Sequence, residues 1–448
     1  MKTHLMKLVA SVTLFALAGC GGGGSSPQDS TNGTQALDLS LGTPATVQIP
    51  AATDSVYAHI MSQSMKVQLV GGNGTVSFDR PLNYDNTRAM SPSEIALLGI
   101  WITPEVKAAW AQGWTGAGVK TGVIDDFTPN DASEFFKLSF PTGCTNTTMP
   151  GGNVTLCRRE SFSTFRLTHG DAVAAIIGSA TSSFTGSASE KGIYSTSTDF
   201  GSFTGLADLN VTFSTPYYGI ARDAQVVRSD FLSYQQSTSG LFFVLQGWAA
   251  GSDYRSQLYN ERKVINLSMS ASSTDATVNK RIYDSQMVYA NNSLTPDSVF
   301  VKAAGNYACV VSAATCDPIN SVFYNAAPYK DKTILVGALD QSGGQLASYS
   351  NTAGAYADRF VVADGRGAQV INGTYQVGTS FASPRVAGYI AIIRHKFPRL
   401  SAAQAAKVLL DTAVWNPAWG EKTAATQAIY GQGEASLTRA LDPAGTLR

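Results

Sequence analysis

Histidine is scarce in this chain, with four residues among 448. Chemistry that needs an imidazole base therefore has only His4, His59, His169 and His395 to draw on. Charge is sparse as well: charged side chains make up 14% of the sequence, 32 basic against 32 acidic, so no basic excess argues for nucleic acid. Cys-x-x-Cys spacing is absent and no His lies near the cysteines, which speaks against a structural zinc site. No Asp-x-Asp-x-Asp run offers a calcium loop, so neither a metal nor a cofactor is expected. Gly-x-Ser-x-Gly is missing, which counts against an esterase of the α/β-hydrolase kind. There is no internal repeat, and beyond the first twenty residues no apolar run is long enough for a transmembrane helix.

The first residues read as export machinery. Lys2 and Lys7 give a positive start, and Leu8-Val-Ala-Ser-Val-Thr-Leu-Phe-Ala-Leu17 is too short to span a bilayer. Leu17-Ala-Gly-Cys20 resembles the bacterial lipobox, whose Cys becomes the lipidated first residue; the alternative is an ordinary signal peptide with an incidental Cys. Gly21-Gly-Gly-Gly24-Ser-Ser-Pro cannot pack and reads as a flexible tether. Gly21 in place of Asp beside Cys20 favours, by analogy, the outer membrane or cell surface of a Gram-negative bacterium. The expected layout is a signal peptide over 1–19, a tether over 20–40, a β-rich extension over 41–92 and one larger domain over 93–448. Four further cysteines, Cys144, Cys157, Cys309 and Cys316, are an even count in an exported chain and point to disulfides. Of the three connectivities, the local one is favoured: Cys144–Cys157 and Cys309–Cys316.

Alternating runs at Ala45–Ile49 and Met65–Val70 predict strands in the extension. From Trp101 the pattern turns α/β. Thr103 caps a helix that has Pro104 in its first turn and Gly113 as its stop. A strand ends at Asp125, and a helix starts near Gly170. Apolar runs at 224–227, 264–268, 299–304 and 334–339 predict buried parallel strands covered on both faces. Helices follow from Phe381 to about Lys396 and from Ser401, the latter with a capping box to Gln404. Residues 179–217, rich in Ser, Thr, Gly and Phe, have no helical period and read as an insertion that is either functional or disordered.

Three segments appear in the order Asp, His, Ser. They are Val119-Lys-Thr-Gly-Val-Ile-Asp125, Leu167-Thr-His169-Gly-Asp-Ala-Val173, and Gly378-Thr-Ser380-Phe-Ala-Ser-Pro-Arg-Val-Ala-Gly388. A serine hydroxyl attacks poorly unless a base takes its proton and an acid orients that base. The order is that of subtilisin. The wording of the three segments resembles the subtilases, and the likeness extends from about Trp101 to about Ala440. It implies a subtilisin-like α/β fold of three αβα layers around a mostly parallel sheet. It also implies a serine endopeptidase working through an acyl-enzyme on protein or peptide substrates. The family pattern makes Asp125 the acid, with its neighbour Asp126 as rival. It makes His169 the base and Ser380 the nucleophile, with Ser383 as rival. Pro384 is expected to fall within the first helical turn, where a missing N–H breaks nothing.

Ala303-Ala-Gly-Asn306 looks like the subtilase segment whose Asn amide donates to the oxyanion. Val264-Ile-Asn-Leu-Ser268-Met269-Ser270 is similar to the strand whose end pairs with the substrate backbone. The resemblance thus implies substrate contacts at Ser268, Met269, Ser270, Ala304 and Gly305. The expected partners are a protein or peptide substrate and, through a lipid on Cys20, a membrane; no nucleic acid is expected, and the chain is expected to be a monomer. A cell-surface binding lipoprotein on a degenerate protease fold, and an esterase or amidase on small substrates, are the alternative functions.

Overall fold

The computed structural model describes residues 37–46, 65–70, 75–78, 100–125, 144–149, 152–157, 169–178, 183–185, 191–197, 203–214, 219–230, 262–270, 275–291, 297–371 and 374–446. The signal segment, Cys20, residues 47–49, His59, Asp126 and Phe127 lie outside them. Along the chain, β1 (Met65–Val70) and β2 (Thr75–Phe78) precede α1 (Pro104–Ala111) and β3 (Lys120–Asp125). Next come β4 (Cys144–Met149), β5 (Gly152–Cys157) and α2 (His169–Ile177). They are followed by β6 (Ser183–Thr185), β7 (Lys191–Ser197), β8 (Phe203–Ser214) and β9 (Gln225–Asp230). After these, β10 (Val264–Leu267), α3 (Ala276–Asn291), β11 (Val299–Ala303), α4 (Pro318–Asn325) and β12 (Thr333–Leu339) alternate. The last part holds β13 (Phe360–Asp364), β14 (Arg366–Ile371), β15 (Thr374–Val377), α5 (Thr379–Lys396) and α6 (Ala402–Asp411).

Six strands form one sheet in the order β13-β12-β11-β10-β3-β9, and every neighbouring pair is parallel. The fully buried strands Val264–Leu267, Val299–Ala303 and Thr333–Leu339 are the continuous apolar runs expected of such a sheet. On one face Ile124, Ile265, Leu267 and Phe300 pack with Ile319, Val322, Phe323 and Tyr329 from the α4 region. Phe300 and Tyr329 meet edge to face at 4.9 Å, as do Phe323 and Tyr329 at 5.2 Å. The other face carries α5, whose residues from Phe381 to His395 are all buried. This is a three-layer αβα arrangement.

A second, antiparallel sheet runs β2-β1-β8-β7-β5-β4, with β6 also on β8. Strand β1 has the bounds expected from its alternation. The stretch read as an insertion contributes β6, β7 and β8, and β8 pairs with β1 from Lys66↔Thr212 to Val70↔Asp208. In the β4–β5 ladder Cys144 stands opposite Cys157.

Ala45 and Thr46, expected to open a strand, belong instead to a strap from Asp38 to Thr46. Gly42 donates its N–H to the Lys396 carbonyl at 2.8 Å, and Ala45 donates to Gly113 at 2.9 Å. His395 accepts from the Thr115 N–H at Nδ1 (3.2 Å) and meets the Thr43 carbonyl at Nε2 (3.0 Å). A carbonyl only accepts, so Nε2 carries the proton and the ring is neutral. Lys396 also reaches the C-terminal part of the chain, donating from Nζ to the Leu441 carbonyl at 2.8 Å. The strap thus fastens to the end of α5 remote from Ser380.

Candidate active site

In a parallel α/β sheet, ligands bind beyond the carboxyl ends of the strands where the strand order reverses. Here the reversal is at β3, with β9 on one side and β10 on the other. Leu267 is level with Ile124 on β3 and with Lys302 on β11. The next residues, Asp125, Ser268 and Ala303, therefore leave the sheet side by side. Helices α2 and α5 begin at the same end, with His169 and Ser380 in their first turns.

Successive strand residues point to opposite faces. Ile124 is in the cluster against α4, so Asp125 turns to the face that carries α2 and α5. Asp125 is buried, and its Oδ1 lies 2.6 Å from His169 Nδ1. An ionised carboxylate only accepts, so Nδ1 holds the proton and Nε2 keeps its lone pair for use as a base. The His169 ring sits 5.7 Å from the ring of Phe381, the residue after Ser380. Gly388 lets the two helices come this close, because a Cβ there would lie 2.7 Å from Ile220 and 3.4 Å from the Ile177 carbonyl.

Ser380 is tied to Ser268 twice. Its hydroxyl donates to the Ser268 carbonyl at 3.1 Å, and the Ser268 hydroxyl donates to the Ser380 carbonyl at 2.8 Å. The second bond corrects the expectation for Pro384. This proline is the sixth residue of α5, beyond the first turn, and its missing N–H would have bonded to Ser380, four residues earlier. Ser268 supplies the donor that Pro384 lacks. Ser383 is buried and donates to Asn266 at 2.7 Å, while Asn266 donates to the Ser268 hydroxyl at 3.0 Å. Its hydroxyl is therefore a structural link between α5 and β10.

Asn306 accepts at Oδ1 from both the backbone N–H and the hydroxyl of Thr379, each at 2.9 Å. A backbone N–H can only donate, which fixes the amide orientation and leaves the NH₂ as the group Asn306 can offer. A Cβ on Gly378 would be 3.4 Å from that nitrogen, so it lies beside the turn entering α5. The loop carrying Asn306 is held by polar residues to which the sequence analysis assigns no role. Asn351 donates to the Ala304 carbonyl at 2.7 Å and accepts from the N–H groups of Tyr307 and Cys309. Asn320 donates to the same Ala304 carbonyl, and the Thr379 hydroxyl accepts from Gly305 N–H at 3.1 Å. Gly305 has φ of +106°, where a Cβ would stand 2.5 Å from the Asn351 amide. Cys309 and Cys316 form a disulfide with Cα atoms 5.8 Å apart, and Asn351 contacts its sulfur at 3.2 Å. Met269 packs against the α4-side cluster and Ser270 is half-buried.

The profile of the subtilase family matches residues 158–433. The chain belongs to the subtilase family. It is a serine-type peptidase, and its substrates are proteins or peptides. The matched span contains His169, Asn306 and Ser380 but begins after Asp125, which enters the site by its place on β3 and its contact with His169. Among solved structures, the prenylagaramide maturation protease PagA is similar at 19% identity and a TM-score of 0.42, over 76% of this chain and 98% of that one. A protease from Pseudoalteromonas arctica is similar at 19% and 0.39, over 78% and 95%. MycP1 with its N-terminal propeptide removed is similar at 20% and 0.39, over 76% and 97%. For this subtilase the fold assignment rests on its own sheet order.

Proposed function

We propose that the protein is an exported, lipid-anchored serine endopeptidase in which Asp125, His169 and Ser380 form the catalytic triad. The Ser380 hydroxyl leaves the Ser268 carbonyl, gives its proton to His169 Nε2 and attacks the peptide carbonyl carbon. Asp125 holds the imidazole tautomer and stabilises the cation that forms. The oxyanion takes the Asn306 amide and a backbone N–H near Ser380 as donors. Collapse expels the amine, which receives the proton from His169, and water then hydrolyses the acyl-enzyme by the reverse roles. Ser268–Ser270 and Ala304–Gly305 flank the peptide before the scissile bond.

The observation that carries this reading is the 2.6 Å contact between the buried carboxylate and His169, with Phe381 of the serine segment beside the ring. A fluorophosphonate probe tests it. One label at Ser380, abolished in Ser380→Ala and sharply reduced in His169→Ala, is expected. Peptidase activity retained by Ser380→Ala, or a label on another residue, would sink the mechanism.

Export and anchoring rest on Lys2, Lys7, the short apolar run and Leu17-Ala-Gly-Cys20. One acyl chain binds a bilayer only marginally, whereas the lipoprotein modification places several on one residue. Cys20→Ser is expected to release or misprocess the protein in cell fractionation while its activity persists. A firmly membrane-bound Cys20→Ser variant would move the anchor elsewhere.

A further inference from the structure

Lys302 is the fourth residue of β11 and lies two positions after Phe300, on the face turned to α4. The period of the strand calls for an apolar side chain there, yet a fully buried ammonium occupies the place. Burial pushes its pKa down, and Asp317 opposes that shift. Nζ donates to the Met269 carbonyl, to the Ala303 carbonyl at 2.8 Å and to Asp317 at 3.4 Å. An ammonium has three protons and no acceptor, so these partners use all of it. Lys302 is thus a fastening and has no proton left for a substrate. Stability does not account for it, because a buried ion pair is often no better than apolar residues of the same volume.

Its effect is on the segment that follows β10. The Ser268 carbonyl faces the Ser380 hydroxyl, and the Met269 carbonyl, one residue on, is drawn to Lys302. We infer that Lys302 is a positioning residue for substrate: by holding the Met269 carbonyl inward, it turns the main-chain groups of Ser268 and Ser270 toward the cleft, where an extended peptide pairs with them. The inference rests on the proposed peptidase reading. Asp317 also accepts from Ile319 N–H at 3.0 Å at the start of α4, so the clamp is seated on that helix.

The test compares a peptide with several residues before the scissile bond and a short acyl ester that cannot use Ser268–Ser270. Lys302→Met is made together with Asp317→Asn, so that no bare charge is buried; Lys302→Gln with Asp317→Asn is the control, since it carries the same change at position 317, where Asn also caps helices. The KM of the long peptide should rise about tenfold in the double variant, as expected for a weakened hydrogen-bonded pairing. The loss on the ester should be several-fold smaller. Lys302→Gln with Asp317→Asn, which keeps a neutral donor, should recover most of the KM and serves as the comparison if the Met variant does not fold. Equal losses on peptide and ester, or an unmoved KM in both Lys302 variants, would overturn the inference alone. A wild type that neither cleaves peptides nor takes the fluorophosphonate would overturn the peptidase reading and this inference with it.

Discussion

Asp125 places one carboxylate oxygen against the Nδ1 of His169, so replacing the group by an amide should cost far more than its change in size suggests. Asp125→Asn can present an N–H to Nδ1 and stabilise the wrong tautomer. On a fluorogenic peptide, kcat should fall by about 10⁴-fold with KM little changed, a magnitude borrowed from other serine peptidases. Asn306→Ala removes an amide whose other end is locked by Thr379, and kcat should fall about 10²–10³-fold, the value for the corresponding donor in subtilisin. A fall in KM-dependent binding alone would contradict the oxyanion role. Asp125, His169, Asn306 and Ser380 were legible because each sits in a short sequence with its own wording. Thr379, Asn320 and Asn351 were not, because they act through carbonyl and amide orientations set by residues tens of positions away. Between Ser380 and Ser383 the structure adds a physical reason: the second hydroxyl is buried and committed to Asn266.

Helix α5 contains its own defect and a repair from another element. Ser268→Ala should leave the Ser380 carbonyl without its donor, at a cost of about 1–3 kcal/mol in denaturant unfolding. In a Pro384→Ala background an intrahelical N–H returns, so the same change should cost less; additive effects would refute the coupling. The Cys309–Cys316 bridge closes a short loop, and opening it with Cys309→Ser and Cys316→Ser should lower stability by about 2–3 kcal/mol. Turnover should fall as well, since Asn351 touches both the bridge and the Asn306 loop. Full activity at lowered stability would confine the bridge to a structural role. Local signals located α1 and α6: Thr103 caps at Val106 N–H, and Ser401 and Gln404 form the capping box. Helix α3 escaped notice because its inward stripe includes Asn279 and Gln286, both buried, which interrupt the apolar period. The strands β6, β7 and β8 were hidden by polar, Gly-rich sequence, although β7 and β8 pair as near neighbours in the chain.

Across the whole molecule the strap makes stability depend on pH. Burial holds the His395 pKa below its usual value, outweighing the Thr43 carbonyl and Asp223, which raise it. Below about pH 6.5 the unfolded chain binds a proton at this ring more readily than the folded chain does. His395 therefore contributes fully above that pH, and its contribution declines as pH falls toward the folded-state pKa. The melting temperature should drop less between pH 7 and 5 in His395→Gln than in wild type. An identical slope in both would show that the strap's histidine does not titrate with unfolding. Glu434, whose pKa burial raises, changes stability in the opposite direction and cancels in this comparison.

Lys396 joins the Gly42 N–H to its carbonyl and the Leu441 carbonyl to its ammonium, at one end of a helix whose other end holds Ser380. Sixteen steps of 1.5 Å along the helix, from Ser380 to Lys396, separate the two by about 24 Å. Ser40 and Asp442, both exposed beside these anchor points, therefore serve as handles at the end of α5 away from Ser380. A bead, a fusion partner or a surface coupled at either handle should leave turnover of protein substrates unimpaired, because it sits at the end of α5 opposite Ser380.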